Sequence, residues 1–207
     1  MVKCDIGIVD YGMGNTHSIK NAFREIDLDS TLASHPEKIN SFDKIILPGV
    51  GAFQKAMENI NKSGLLEALN EFRNSGKSIL GICLGMQLMC TSSSENGNCR
   101  GLNWVNAKVQ KIPEKKGYSV PHIGWNDVTS KKSNTLFSSL SDKNDFYFVH
   151  SFCVSRINKE SITGITEYTN KFCSAFTYEN ISGVQFHPEK SQGAGLQLLK
   201  NFASVKC

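Results

Sequence analysis

Three short stretches of this chain carry residue types that can do covalent chemistry. Gly81-Ile82-Cys83-Leu84-Gly85 has the G-x-Cys-x-G spacing of a nucleophile elbow, where a strand turns sharply into a helix. The nucleophile at such a turn has a strained backbone, and a Cβ two residues to either side would collide with the neighbouring chain; glycine avoids this. At a helix N-terminus Cys83 would also meet the positive end of the helix dipole, which favours thiolate over thiol. His187-Pro188-Glu189 offers the base. In an extended segment residues i and i+2 point to one side, so the Glu189 carboxylate can orient the His187 ring. The ring then takes the thiol proton and returns it to a leaving group. Pro188 fixes φ between them and disfavours a helix, holding that geometry.

The third stretch is Leu47-Pro48-Gly49-Val50-Gly51-Ala52-Phe53. Its two glycines let a peptide around Val50 and Gly51 present an N–H to a bound carbonyl. With the N–H of Leu84 this would form an oxyanion hole. Each stretch alone is ordinary: small packing around a cysteine, loop composition, a turn. Their combination in one chain predicts Cys83 as nucleophile, His187 as base and Glu189 as its orienting acid. Gly12-x-Gly14 resembles the start of a dinucleotide-binding loop, but the third glycine that loop needs is replaced by His17.

These stretches require strands that end where they begin. Asp5 to Val9, Lys44 to Leu47 and Ser78 to Ile82 read as short apolar strands. Between them lie helical faces, Ile19, Ala22, Phe23 and Ile26 at the 0, 3, 4, 7 spacing and then Leu65, Leu69 and Phe72. Such alternation implies parallel strands with crossover helices. The second half reads as short strands at Trp104 to Val109, Asp145 to Val149, Ile162 to Tyr168, Phe172 to Thr177 and Gly183 to Phe186, closed by a helix carrying Leu196, Leu199 and Phe202. The expected fold is α/β, a three-layer, mixed but mainly parallel sheet with helices on both faces and an antiparallel extension. All three chemical stretches then fall at the C-terminal ends of strands, where open α/β sheets form their binding crevice.

A chain of 207 residues fits one domain, spanning 1–207. Hydrophobic residues at 40% against 20% charged exclude disorder, and a net charge of +4, scattered along the chain, does not argue for nucleic acid or an acidic membrane. Lys115-Lys116 and Lys131-Lys132 are the densest basic spots and read as solvated loops. No apolar run approaches the length of a membrane helix, and the N-terminus lacks a signal peptide's pattern. Seven cysteines with no CxxC pair support neither a zinc site nor a disulfide framework, so a cytoplasmic setting without metal or cofactor is expected.

The elbow and the His-Pro-Glu stretch make the chain similar to the class I glutamine amidotransferases. More narrowly, it resembles the family of glutaminase subunits of imidazole glycerol phosphate synthase. The likeness runs almost end to end, through Asp10-Tyr11-Gly12-Met13-Gly14-Asn15, the Pro48-to-Phe53 loop, Cys83-Leu84-Gly85-Met86-Gln87, Pro121-His122-Ile123-Gly124-Trp125-Asn126, Phe148-Val149-His150-Ser151 and Gly183 to Ser191. The resemblance implies the triad Cys83, His187 and Glu189. It also implies a glutamine pocket of Gly51, Gln87, Ser151 and Phe152, and partner-interface positions at Asn15, Trp125 and Lys190. The implied reaction is thiolate attack on the side-chain amide of L-glutamine, release of ammonia and hydrolysis of a glutamyl thioester. The implied partner is a (βα)8-barrel cyclase, in a heterodimer that makes imidazole glycerol phosphate and AICAR for histidine biosynthesis. Thr16-His17, Ser92 to Glu95, Gly101 to Trp104 and Phe152-Cys153 depart from the family's pattern. They leave an alternative acceptor, an amidotransferase that modifies surface or flagellar sugars.

Overall fold

In the computed structural model, which describes residues 4–131 and 134–205, the first half of the chain alternates strand and helix. The order is β1 (Ile6–Val9), α1 (Thr16–Glu25), β2 (Thr31–Ala33), α2 (Pro36–Ile39), β3 (Lys44–Leu47), α3 (Phe53–Lys62), α4 (Leu65–Asn74), β4 (Ser78–Ile82) and α5 (Leu84–Leu88). The second half is β-rich: β5 (Cys90–Ser93), β6 (Cys99–Arg100), β7 (Val105–Lys111), β8 (His122–Ser130), β9 (Lys143–His150), β10 (Phe152–Ser155), β11 (Ile162–Glu167), β12 (Lys171–Tyr178), β13 (Ile181–Val184) and α6 (Gln192–Ser204). Short 3₁₀ turns occupy Thr135–Phe137 and Pro188–Lys190. Met1 to Lys3 of the N-terminal reading, Lys132 of the second basic pair and Cys207 lie outside the described residues.

The strands form one mixed sheet in the order β2-β1-β3-β4-β13-β12-β10-β7-β5-β6. An antiparallel branch of β11, β8 and β9 leaves it at β12. β13 is the joint: it runs parallel to β4, with Val184 beside Ile82, and antiparallel to β12. The expected strand at Gly183 to Phe186 is thereby corrected to Ile181–Val184, because pairing with β4 ends there and frees Gln185 onward to leave the sheet.

Apolar alternation along β3 sends Ile45 and Leu47 to one face and Ile46 to the other. The first face packs on α3, α4 and α5 through Phe53, Leu65, Phe72 and Met86; the second packs on α1 and α6 through Phe23, Leu199 and Phe202. Helices therefore cover both faces, the three-layer arrangement that the alternation of elements predicts. Lys44, at the start of β3, is fully buried, and its ammonium donates to the carbonyls of Ala203 (2.5 Å) and Val205 (2.6 Å) at the end of α6. A buried charge is tolerated only when so bonded, and the carbonyl end of a helix is the favourable place for a cation.

Candidate active site

Cys83 lies between β4 and α5 with φ +53° and ψ −110°, a conformation costly for a residue with a Cβ. The sharp turn holds because both flanking glycines are needed. A Cβ on Gly81 would lie 2.8 Å from the backbone of Met86, and one on Gly85 would overlap the carbonyl oxygen of Leu47. The elbow's steric logic is thus visible at both glycines. Its electrostatic logic is weaker than expected, since α5 has only five residues and its dipole is correspondingly small.

His187 leaves β13 in an extended conformation, its N–H donating to the Tyr147 carbonyl at 2.9 Å. Its Nδ1 lies 2.8 Å from Glu189 Oε1, with both side chains almost wholly buried. The pair meets across the 3₁₀ turn Pro188–Lys190, not across an extended strand as expected, because a proline φ suits the first position of a helical turn as well as an extended one. Ser191 fixes that turn: its hydroxyl donates to the His187 carbonyl (2.6 Å) and accepts from the Tyr147 N–H (3.0 Å).

Nε2 of His187 makes no hydrogen bond of ordinary geometry among the described residues, and Cys83 is the strongest group acting to charge the ring. Burial opposes that charge, but the Cys83 sulfur and then the Glu189 carboxylate outweigh it and push His187 up to about 10. Both neighbours thus favour the imidazolium over the neutral ring.

Cys83 and His187 border a pocket of about 270 Å³. Val50, Gly51 and Leu84 line it, as do Gln87, Ser151 and Phe152, so the residues expected for the oxyanion hole and the substrate share one cavity with the nucleophile. Val50 needs a qualification: its N–H donates to the Met13 carbonyl at 3.4 Å and so does not face a bound carbonyl as the structure stands. Tyr11 secures the same loop by donating from its buried hydroxyl to the Pro48 carbonyl at 2.6 Å. Of the three expected interface residues, Trp125 and Lys190 come together over Tyr147, the indole edge-on at 6.2 Å between centroids and the ammonium 5.7 Å from the ring. Trp125 is 48% exposed, which excludes a core-packing role. Asn15 is not drawn into that cluster; its side chain caps α1, accepting from Ser18 N–H at 3.2 Å.

Four residues around the site lie in stretches already named from the sequence, but with no role assigned to them there. Glu95 reaches the pocket from the β5–β6 turn, one oxygen accepting from Phe53 N–H at the start of α3 (2.8 Å). Gln185, fully buried, donates to the sulfur of Cys83 at 3.6 Å. Behind the Phe152 carbonyl, His150 and His122 form a buried pair, Nε2 to Nδ1 at 3.0 Å. Period-2 counting back from His187 would find Gln185; the others arrive from other parts of the fold. Among the described residues no group of three His, Cys, Asp or Glu side chains is arranged to hold a metal, and no helix is long and apolar enough to cross a membrane.

The histidine pair gives the fold a pH dependence. Burial lowers His122 to about 4. Burial likewise lowers His150 to about 3, assisted by the charges of His122 and His187 and opposed by its bond to the Phe152 carbonyl. Unfolded histidine titrates near 6.5, so below that pH the unfolded chain binds protons that the folded pair refuses, and stability falls. Urea midpoints are expected to drop between pH 7 and 4.5, and to drop less steeply in His122→Asn. Equal slopes for the two proteins would contradict a pair held neutral in the fold.

Residues 7–205 match the family model described as glutamine amidotransferase class-I. The chain is 46% identical over 198 residues to the imidazole glycerol phosphate synthase subunit HisH 2 of Methanococcus maripaludis, covering 95% of this chain and 98% of that one. It is 44% identical over 204 residues to the imidazole glycerol phosphate synthase subunit HisH of Sulfurimonas denitrificans, covering 97% and 98%. A structure of PurLQS from Thermotoga maritima superposes with a TM-score of 0.74 at 15% identity, covering 97% of this chain and 98% of that one, a likeness of fold.

Proposed function

The chain belongs to the class I glutamine amidotransferase family, and we propose that residues 1–207 act as one glutaminase domain, the glutaminase subunit of an imidazole glycerol phosphate synthase. Near-full-length identity of 46% and 44% to subunits of that name supports the assignment. The single observation that carries the chemistry is the meeting of Cys83, the buried His187–Glu189 pair and the loop at Val50 and Gly51 around one pocket.

L-Glutamine enters with its carboxamide at Cys83. The Glu95 carboxylate, which borders the pocket, faces the α-ammonium group, while Gln87, Ser151, Phe152 and Gly51 border the rest of the substrate. The thiolate attacks the amide carbon; the C–S bond forms and the carbonyl electron pair moves to oxygen. Leu84 N–H and the Val50 peptide, once released from Met13, stabilise that oxyanion. The oxyanion collapses, the C–N bond breaks and His187 gives its proton to the departing nitrogen, which leaves as ammonia. The now neutral ring takes a proton from water; hydroxide adds to the thioester and the C–S pair returns to sulfur, releasing glutamate.

Ammonia that escapes into neutral water is protonated and loses its nucleophilicity, so useful transfer needs a sheltered path to an acceptor. A (βα)8-barrel cyclase in a heterodimer with this chain fits, docking over exposed Trp125 and the Tyr147–Lys190 pair, with Asn15 at its margin. A cytoplasmic setting agrees with cysteines that form no disulfide among the described residues. Expression in a histidine auxotroph that lacks its own glutaminase subunit is expected to restore growth without histidine. Soluble protein without rescue would redirect the ammonia to a sugar-modifying synthase.

A further inference from the structure

We propose that Gln185 is a further catalytic residue, an amide N–H donor to the sulfur of Cys83 whose orientation is imposed by a chain of hydrogen bonds running through Gln87 and the Phe152 carbonyl to His150 and His122. The inference deepens the glutaminase reading and rests on Cys83 being its nucleophile.

The orientation follows from donor and acceptor counting. The Phe152 carbonyl can only accept, and it is met by Gln87 at 2.8 Å and by His150 Nδ1 at 2.8 Å. Nitrogen of Gln87 must therefore face it. The second hydrogen of that nitrogen points to Gln185 at 2.9 Å, so the atom there is oxygen. The other end of the Gln185 amide, its NH₂, is left toward Cys83 Sγ at 3.6 Å. Inverting Gln185 would require inverting Gln87, which would set two acceptors against each other at Phe152.

The far side of the carbonyl is equally determined. His150 must carry its proton on Nδ1, so its Nε2 accepts from His122 Nδ1 at 3.0 Å. His122 Nε2 then accepts from Asn126 Nδ2 at 3.3 Å, and that amide also donates to the Glu167 carbonyl while its oxygen accepts from Asp127 N–H. Every atom of the chain thus has one role, and the two imidazoles cannot turn without breaking it.

A donor at the sulfur has work in both halves of the reaction: it holds the attacking thiolate, and it receives the thiolate again when the thioester is hydrolysed. The sulfur also lies 3.9 Å from the Val149 carbonyl, which accepts only from the protonated thiol; with α5 so short, the Gln185 amide and His187 are the contacts that favour the thiolate. The titratable groups facing the sulfur are His187, backed by Glu189, and the Tyr11 hydroxyl; His150 acts from behind Phe152 and Glu95 borders the same pocket.

The test compares wild type, Gln185→Glu and Gln185→Met as full chains. Cys83 alkylation by iodoacetamide is followed against pH by peptide mass mapping, and kcat and KM for glutamine are measured with the cyclase bound. Losing a hydrogen bond to a charged acceptor is expected to raise the alkylation midpoint by about one pH unit or more in both variants, and to lower kcat roughly ten-fold or more. In Gln185→Glu, whose carboxylate still accepts from Gln87, KM stays near the wild-type value. Midpoints that match wild type in folded variants overturn the proposal, even if melting temperatures fall, since a packing role alone would produce that result. Should 6-diazo-5-oxo-L-norleucine fail to label Cys83 in the wild type, the glutaminase reading fails instead.

Discussion

Replacing Cys83 with alanine is expected to lower glutamine-dependent turnover by roughly 10⁴-fold or more, with ammonia-dependent synthesis by the bound cyclase retained. The two activities separate because only the supply of nitrogen passes through the sulfur. Without Sγ no C–S bond can form, and the remaining donors around the pocket can polarise the carboxamide but offer it no nucleophile. The fold has little to lose: alanine keeps a Cβ at the φ of +53°, and the flanking glycines still clear Met86 and Leu47. Comparing glutamine and ammonium salts as nitrogen donors in the purified complex decides the point. Loss of both activities in a folded complex would refute the division of labour between the subunits.

Glu189→Gln is expected to reduce kcat by about 10² to 10³, less than the cysteine variant, because it weakens the base without removing the nucleophile. The amide oxygen can still accept from Nδ1, so the ring keeps much of its orientation. What it loses is the carboxylate charge, one of the two influences that hold His187 protonated against burial. The ring then titrates well below about 10, and the alkaline edge of the pH–rate profile moves toward neutrality. The stability effect has a definite sign. A raised folded-state value stabilises fully below the unfolded value near 6.5 and is lost as pH rises through about 10. Wild type and variant should therefore differ most in urea midpoint near pH 6 and converge near pH 10. A loss of turnover equal to that of Cys83→Ala, or an unmoved alkaline edge, would contradict an orienting and charge-stabilising role.

The parts of this site that the sequence discloses are those set by local sterics. Gly81 and Gly85 declare a sharp turn because nothing else fits beside Met86 and Leu47, and proline between His187 and Glu189 restricts how that pair can meet. The helix α3 carries its own apolar face, Phe53, Ala56, Met57 and Ile60, at helical spacing, yet only the loop before it enters the sequence reading. What stays hidden is pairing across the chain. β13 lies beside β4 through four parallel partners, an arrangement no periodicity reveals, and it is this register that brings His187 to Cys83. β8 is obscured differently: Gly124, Asn126 and Asp127 are poor strand formers, and its eight-residue register with β9 supplies the order that propensity lacks. Glu95, His150 and Gln185 acquire their roles only once β5, β9 and β13 converge.

The lysine clamp at the end of α6 reaches further than its position suggests. That helix begins at Ser191, which ties down the His187 backbone, and Gly195 presses against the Pro188 carbonyl so closely that a methyl group there would overlap it. Its other end, 13 residues on, is gripped by Lys44 from the first residue of β3. The helix is thus a strut pinned at both ends, and the turn bearing the base cannot fray by itself. Opening it must displace the strut and disturb the middle of the sheet as well, so the amides around His187 trade hydrogens with solvent only in a large, sub-global excursion.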